Sequence, residues 1–465
     1  LNDFKSSGKK IYAYSEFYSE RSYYLASVAD QVFINPAGDF IFNGFYSSVT
    51  FFKGMLDKAG IEMQVIKVGK YKSAVEPFLL DKMIDENREQ VSVYVNSLFD
   101  AYTSNIAASR KLSQDTIKNI ANNLMIRKAQ DAVDLKMIDA LKYYDEVLEI
   151  IKKESGTEKD GKPRFITYSS FRKVNHSKKE DFKNKIAVVY INGEIVGGKG
   201  DENTAASGTL VEAIQKIRDD ENVKALVVRV NSPGGSSLAS DVILREIKLC
   251  HEKMPVIVSM GDVAASGGYY VSMAADTIVA QPNTITGSIG VFGLIPNFKT
   301  LLNEKLGIHS DGVGTGKFSD LGSVDRALTE DEKLFYQQMV DRIYEDFLKH
   351  VSENRKMSIE QVHEIAQGRV WTGTDAKRLG LVDVLGNFND AIQIAINKAG
   401  LTSYAIVEYP KIKDPFSQIL NMGEQSKVKM IKQELGSFYS YFEKLKSVQN
   451  LNGTQMRVPY IFEIQ

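Results

Sequence analysis

From residue 185 onward, short apolar runs alternate with longer amphipathic ones. Lys185-Ile186-Ala187-Val188-Val189-Tyr190-Ile191 and Lys224-Ala225-Leu226-Val227-Val228-Arg229-Val230 are rich in β-branched residues, and Pro255-Val256-Ile257-Val258-Ser259-Met260 is a third such run. This composition predicts buried strands over 185–191, 224–230 and 255–260. Apolar positions at helical spacing predict helices over 208–218, 239–251 and 266–275. The resulting βαβα order implies an α/β fold with largely parallel strands. Later segments turn helical: Thr329–Arg355 reads as one long helix, Asn87–Arg110 as its counterpart, and Gln418–Lys446 as an amphipathic helical stretch.

The counterpart exists because the chain contains itself twice, and a fixed period has to be found before a fold is assigned. Tyr23-Tyr24-Leu25-Ala26-Ser27-Val28-Ala29-Asp30 returns as Tyr269-Tyr270-Val271-Ser272-Met273-Ala274-Ala275-Asp276, a shift of 246. Arg110-Lys111-Leu112-Ser113 returns as Arg355-Lys356-Met357-Ser358 at a shift of 245, and Asp131-Ala132 with Leu135 and Asp139 as Asp375-Ala376 with Leu379 and Asp383 at 244. Counterparts of strands 185–191 and 224–230 would precede Leu1. The expected organisation is therefore a first repeat over 1–151, incomplete at its N-terminus, and a second over 185–405. Between them lies a linker, 152–184, rich in Lys, Ser, Gly and Asp. A helical tail follows over 406–465. On the order of a hundred residues are expected upstream of Leu1 by ordinary domain size, a place for a membrane anchor. The basic cluster Lys173, His176, Lys178 and Lys179 reads as a solvated connection.

Composition narrows the chemistry. With 58 Lys+Arg against 59 Asp+Glu in 465 residues, the net charge is -1 and gives no overall field to draw in nucleic acid. A hydrophobic content of 43% suits sizeable cores. One cysteine, Cys250, excludes an internal disulfide and a multi-Cys zinc site. The five histidines (His176, His251, His309, His350 and His363) include no i,i+4 pair of the metal-binding kind. No apolar run approaches the roughly 18 residues of a membrane span, and Leu1-Asn2-Asp3-Phe4-Lys5 does not read as a signal peptide.

The candidate chemistry sits where strands meet glycines. Strand 224–230 runs into Asn231-Ser232-Pro233-Gly234-Gly235-Ser236, where Gly234 and Gly235 let backbone N–H groups turn into a cavity. Such paired donors suit an oxyanion hole; the plainer reading is a Pro-Gly turn. Strand 255–260 runs into Gly261-Asp262-Val263-Ala264-Ala265-Ser266-Gly267-Gly268-Tyr269-Tyr270. Ser266 then stands at a helix start, as a nucleophile or as an ordinary cap. Its counterpart in the first copy is Glu20, within Tyr18-Ser19-Glu20-Arg21-Ser22, which lacks the double glycine. A cap serves both copies, whereas a nucleophile is needed once, and this favours chemistry at Ser266.

A serine nucleophile needs a base. No histidine stands at a strand end near these glycines, which leaves lysine. Its reference pKa of about 10.4 has to fall by roughly three units, a cost of about 4 kcal/mol, through burial or a neighbouring positive charge. Lys72, in Val68-Gly69-Lys70-Tyr71-Lys72-Ser73-Ala74-Val75-Glu76-Pro77-Phe78, is one candidate. Lys317, in Gly314-Thr315-Gly316-Lys317-Phe318-Ser319, answers to Lys70 or Lys72 in the second copy and competes with it. Spacing leaves both open, and either can be a solvated surface group.

Taken together, Ser232-Pro233-Gly234-Gly235, Gly261–Tyr270, Thr286-Gly287-Ser288-Ile289-Gly290-Val291, Trp371-Thr372-Gly373-Thr374-Asp375-Ala376 and Tyr71–Phe78 resemble the signal peptide peptidase A (protease IV) family in its long, duplicated form. The resemblance covers 1–410 and extends to the tail segment Val458-Pro459-Tyr460-Ile461. It implies tandem ClpP/crotonase-like α/β domains and a Ser/Lys-dyad peptidase. Ser266 would be the nucleophile and Lys72 the general base. The oxyanion would be held by Gly234 or Gly235 with Gly267, and Ser288 would orient the lysine. It further implies a homotetramer on the outer face of the bacterial inner membrane, degrading apolar, extended signal-peptide remnants. No metal, cofactor or nucleic acid is expected, and no Gly-x-x-x-x-Gly-Lys-Ser/Thr loop occurs. Two other classes fit the same glycines: a crotonase-type acyl-CoA hydratase or isomerase, and a non-catalytic scaffold in which Ser266 only caps.

Overall fold

The structure, a computed structural model, describes residues 1–156, 165–174, 183–200, 204–410 and 454–458. The three apolar runs form the centre of an eight-stranded sheet. Val223–Ser232 lies between Lys185–Asn192 and Val256–Ala265, parallel to both. Successive residues of a strand point to opposite faces, and each face meets its own core. Ala187 and Val189 pack with Leu210, Ile214 and Ile217 of helix Ser207–Asp219 and with Ile243 and Ile247 of helix Ser237–His251. Ile186 and Val188 pack with Ile392, Ala395 and Ile396 of helix Phe388–Ala399. A strand covered on both faces has no polar alternation, and this is why these segments read as continuous apolar runs.

The sheet continues past Val256–Ala265 to Ile285–Gly287 and Val370–Thr372, and past Lys185–Asn192 to Ala405–Tyr409. A second, six-stranded sheet runs in the order Glu62–Val68, Val291–Asn297, Thr454–Arg457, Gly234–Ser236, Glu194–Val196, Thr204–Ala206. Its first two strands pair antiparallel over their whole length, from Val68 opposite Val291 to Glu62 opposite Asn297. A separate three-stranded parallel sheet consists of Tyr12–Tyr18, Gln31–Phe40 and Ala140–Leu141. It packs on a core that includes Tyr23, Phe42, Ile106, Ile117 and Met137.

The compact units cut across the sequence repeats. Residues 48–94, from the first repeat, belong with 180–462, while 1–47 and 95–179 form the other unit. The boundary falls within helix Asp85–Arg110.

Two expectations need correction. The helix expected over 266–275 is only Gly267–Tyr270. It stops because the chain has to turn back at once, where Asp276 fixes the start of its own strand's neighbour: its N–H donates to Val256 O at 2.9 Å and its carboxylate accepts the Val256 N–H at 2.8 Å. The tail boundary at 406 falls inside strand Ala405–Tyr409, which the parallel ladder to Lys185–Asn192 holds in the sheet. Thr454–Arg457 is likewise a strand, not helix. The amphipathic stretch Gln418–Lys446 lies outside the described residues. Among the described residues, no helix is long and apolar enough to cross a membrane, and no group of three or more His, Cys, Asp or Glu side chains is placed to hold a metal.

Candidate active site

Strand register explains how residues nearly two hundred positions apart meet. Gly287 pairs with Ala265 at the ends of two parallel strands, and the Ser266 N–H donates to Gly287 O at 2.8 Å, so Ser288 arrives beside Ser266. Val68 faces Val291, so the chain leaving Val68 passes the residues that precede Val291. That chain is Gly69-Lys70-Tyr71-Lys72, and it is pinned by the Tyr71 N–H donating to Gln367 O at 3.0 Å.

Lys72 Nζ ends 2.8 Å from Ser266 Oγ, 3.1 Å from Ser288 Oγ and 3.3 Å from Ser288 O. Lys72, Ser266 and Ser288 are each 0% exposed. Burial holds the Lys72 amine well below its ordinary pKa of 10.5, since desolvation penalises the ammonium. The three contacts suit the neutral form. A neutral amine has two N–H groups, which the hydroxyl and carbonyl oxygens of Ser288 accept, and one lone pair, which the Ser266 hydroxyl can address. Ser288 Oγ in turn donates to Gly368 O at 3.2 Å.

Ser266 has φ 55° and ψ -114°, and its side chain makes no cap hydrogen bond. A non-glycine residue there is strained by an order of 1–3 kcal/mol. A cap requires extended backbone and an oxygen turned to its own helix; Ser266 has neither and faces the amine instead.

The competing lysine, and the other possible counterpart of it, are elsewhere. Lys317 has a side chain 70% exposed and paired with Asp331, and Lys70 Nζ lies over the Tyr71 ring, 5.1 Å from its centroid. Of the three oxyanion glycines, Gly234 has its N–H donating to Ser232 Oγ at 3.2 Å. Gly267 opens a helix, so its N–H has no acceptor within that helix. Gly235 lies in strand Gly234–Ser236 beside it. The approach is close: a Cβ placed on Gly234 would stand 2.6 Å from the Gly267 nitrogen. A cavity of about 200 Å³ is lined by Ile66, Leu294, Ile295, Pro296, Tyr336 and Val340, among others.

Two positioning features were not foreseen from sequence. Gly368, at φ 78°, presses on the lysine: a Cβ there would stand 2.7 Å from both Lys72 Cβ and Lys72 N. Gln90 is buried, donating to Ser73 Oγ at 2.9 Å and accepting the Val370 N–H at 3.3 Å. It thus ties the lysine's segment to the strand beside Ser288. The signal available for Gly368 was an isolated glycine three residues before the Trp371 motif. For Gln90 there was none, since it sits on the face of a long helix like any other polar residue.

The sequence matches peptidase family S49 over residues 3–158 and 248–402, in both repeats, and the chain belongs to that family. It is 37% identical over 405 residues to Protease 4 of Haemophilus influenzae, covering 85% of this chain and 66% of the relative. It is 38% identical over 418 residues to Protease 4 of Salmonella typhi, covering 88% of this chain and 67% of the relative. It is 35% identical over 412 residues to the chloroplastic serine protease SPPA of Arabidopsis thaliana, covering 86% and 60%. The chain thus spans about two thirds of the length of these relatives. A solved ClpP1 mutant from Listeria monocytogenes is similar over 44% of this chain and 94% of its own, at a TM-score of 0.30 and 20% identity, a likeness too slight to build on.

Proposed function

We propose that this chain is a serine endopeptidase working through a Ser266/Lys72 dyad on apolar, extended peptides. The observation that carries the reading is a wholly buried amine 2.8 Å from the hydroxyl of a strained serine. Neutral Lys72 takes the Ser266 proton as Oγ attacks the scissile carbonyl carbon. The oxyanion that develops is met by the N–H group of Gly267 together with that of Gly234 or Gly235. The Lys72 ammonium then gives its proton to the leaving amine, and an acyl-enzyme on Ser266 remains. Water enters, loses a proton to Lys72 and attacks the ester; the acid leaves and Ser266 regains its proton. Ser288 keeps the amine aimed through both halves.

The cavity lined by Ile66, Leu294, Ile295 and Val340 supports apolar peptides as substrates, and the family resemblance supports cleaved signal peptides among them. Action at the outer face of the bacterial inner membrane, in a tetramer, rests on that resemblance.

The test is hydrolysis of an unstructured protein and of a peptide ester. Ser266→Ala is expected to lose about 10⁴–10⁶-fold in kcat, and Lys317→Ala to keep full activity. A fully active Ser266→Ala variant ends the proposal.

A further inference from the structure

Close to Lys72 in sequence, the chain buries a carboxyl that the chemistry at Ser266 does not use. Glu76 opens the short helix Glu76–Leu79, and its side chain meets the start of helix Asp85–Arg110. Glu76, Asn87 and Gln90 are all buried. Asn87 and Gln90 stand three positions apart and so share one side of that helix. Glu76 Oε2 accepts from Asn87 Nδ2 at 2.7 Å and from the Ile84 N–H at 3.5 Å. Its other oxygen, Oε1, is buried with no partner among the described residues, a costly arrangement on grounds of stability alone.

A row of amides joins this carboxyl to both sides of the amine. Asn87 Oδ1 accepts from Gln90 Nε2 at 3.2 Å. Gln90 Nε2 also donates to Ser73 Oγ at 2.9 Å and to Tyr71 O at 3.3 Å, in the two residues that flank Lys72. Gln90 Oε1 accepts the Val370 N–H at 3.3 Å, and Val370 pairs with Gly287, the neighbour of Ser288. One amide therefore grips both the segment that carries the base and the strand beside the hydroxyl that orients it.

The row has a direction. Glu76 Oε2 receives donors, so Asn87 has to present its NH2 there and its oxygen to Gln90. Gln90 has to answer with its own NH2, which leaves its oxygen for Val370. Turned over, Gln90 would set its oxygen against Tyr71 O and its NH2 against the Val370 N–H. Either amide can turn over without a change of shape; a carboxylate has no donor end to offer.

We propose that Glu76 is a positioning residue for the dyad: by fixing the direction of the Asn87 and Gln90 amides, it holds the Lys72 segment where the amine reaches Ser288 and Ser266. The inference rests on the peptidase reading, since a positioned base matters only if Ser266 reacts.

The experiment uses the full chain and near-isosteric changes, so that volume stays constant and direction alone varies. Asn87→Asp sets an acceptor against Glu76 Oε2 and breaks the row at that joint. Adding Glu76→Gln restores a donor facing position 87, where the second carboxylate oxygen still accepts from Gln90. The readouts are kcat and KM for a peptide ester at about pH 8, above the ordinary carboxylate range, together with the urea midpoint. Asn87→Asp is expected to lower kcat about ten- to hundredfold at nearly constant KM, in protein that is still folded, as a small misplacement of the base does. The double variant is expected to recover most of that loss. A row that only supported the fold would lower the urea midpoint and leave kcat of the folded protein alone, which overturns the proposal; a double variant as slow as the single one also overturns it. Should Asn87→Asp not fold, Glu76→Met removes the acceptor without adding charge: a fall in kcat at constant KM supports the proposal, and an unchanged kcat overturns it. A wild type that does not hydrolyse the ester ends the dyad reading and this inference with it, whereas an active wild type with unaltered variants ends this inference alone.

Discussion

Strands Tyr12–Tyr18 and Val256–Ala265 end in turns that are sequence counterparts and are built to opposite ends. In the first, Ser19 is an ordinary cap, with φ -85° and ψ 165°, in a reciprocal capping box with Ser22. Glu20, at the position of Ser266, is buried, and its carboxylate accepts the N–H groups of Asn43 and Gly44 at 2.9 and 2.6 Å. In the second, Ser266 is strained, caps nothing and faces an amine. Around both turns the supporting contacts are the same. The Tyr23 hydroxyl donates to Met137 O at 2.6 Å and that of Tyr269 to Leu381 O at 3.0 Å. Arg110 pairs with Asp139 and Arg355 with Asp383, while the two aspartates accept the N–H groups of Val32 and Ile278. What holds a strand–turn–helix together is present twice. Of the two turns, only the one at Ser266 holds its residue in a strained conformation.

The sharpest way to break this contrast is to remove the amine that gives the strained serine its meaning. Lys72→Met keeps the length and apolar stem and should cost about 10³–10⁴-fold in kcat/KM, as loss of a general base does. In the wild type, kcat/KM should rise with pH as the lysine deprotonates, with its limb well below 10.5 because burial lowers this group. Stability should follow the same sign. Between the lowered folded value and the ordinary one, the unfolded chain binds a proton that the folded chain does not, so wild-type stability climbs with pH across that window. Lys72→Met should lack this climb and be the more stable of the two near pH 7, the gap closing toward pH 10–11. Urea midpoints at pH 7 and pH 10 check it; equal slopes in the two proteins would mean the amine is not neutral in the fold.

A smaller effect comes from exchanging a residue between the copies. At a shift of 244, Gly368 answers to Leu124, and both have positive φ, 78° and 46°. Leu124 is 53% exposed, whereas a side chain at 368 would run into Lys72. Gly368→Leu should therefore displace the base and cost about 10²-fold in kcat, the scale of an ångström's misplacement, while Leu124→Gly leaves kcat alone. Equal losses in both variants would show that the positive-φ turn, and not its closeness to the lysine, is what counts.

How much of this was legible follows from what each feature depends on. Strands 185–191, 224–230 and 255–260 are found at Lys185–Asn192, Val223–Ser232 and Val256–Ala265, and helix 239–251 at Ser237–His251, because burial on two faces or one leaves a local periodic record. Glu330–Arg355 and Asp85–Arg110 likewise match the two long helices expected. Ser266 stood out through its glycines and through its mismatch with Glu20. The choice of Lys72 over Lys317 did not follow from spacing. It rested on the resemblance; what brings Lys72 beside Ser266 is the pairing of Val68 with Val291, a contact between segments more than two hundred residues apart that leaves no periodic trace in either. The strand at Thr454–Arg457 escaped for the same reason: four residues with one aliphatic side chain become a strand only because two walls flank them.

The gentlest test concerns the copy without the serine. Burial raises the Glu20 carboxyl above its ordinary 4.5, and the two backbone N–H groups only partly offset this. A carboxylate whose folded pKa is raised contributes stability at low pH, and loses it as pH rises through the folded value. At pH 7 the wild type therefore carries a charge its site does not favour. Glu20→Gln retains an oxygen for Asn43 and Gly44 without that charge, and should gain up to about 1 kcal/mol at pH 7. Near pH 4, where the native carboxyl is largely neutral, the gain should vanish. Urea midpoints at the two pH values read the difference, and peptide-ester hydrolysis should not change. Should Glu20→Gln instead slow hydrolysis, the turn at Ser19 would have to be counted as part of the chemistry, and the division between a supporting copy and a reacting one would fail.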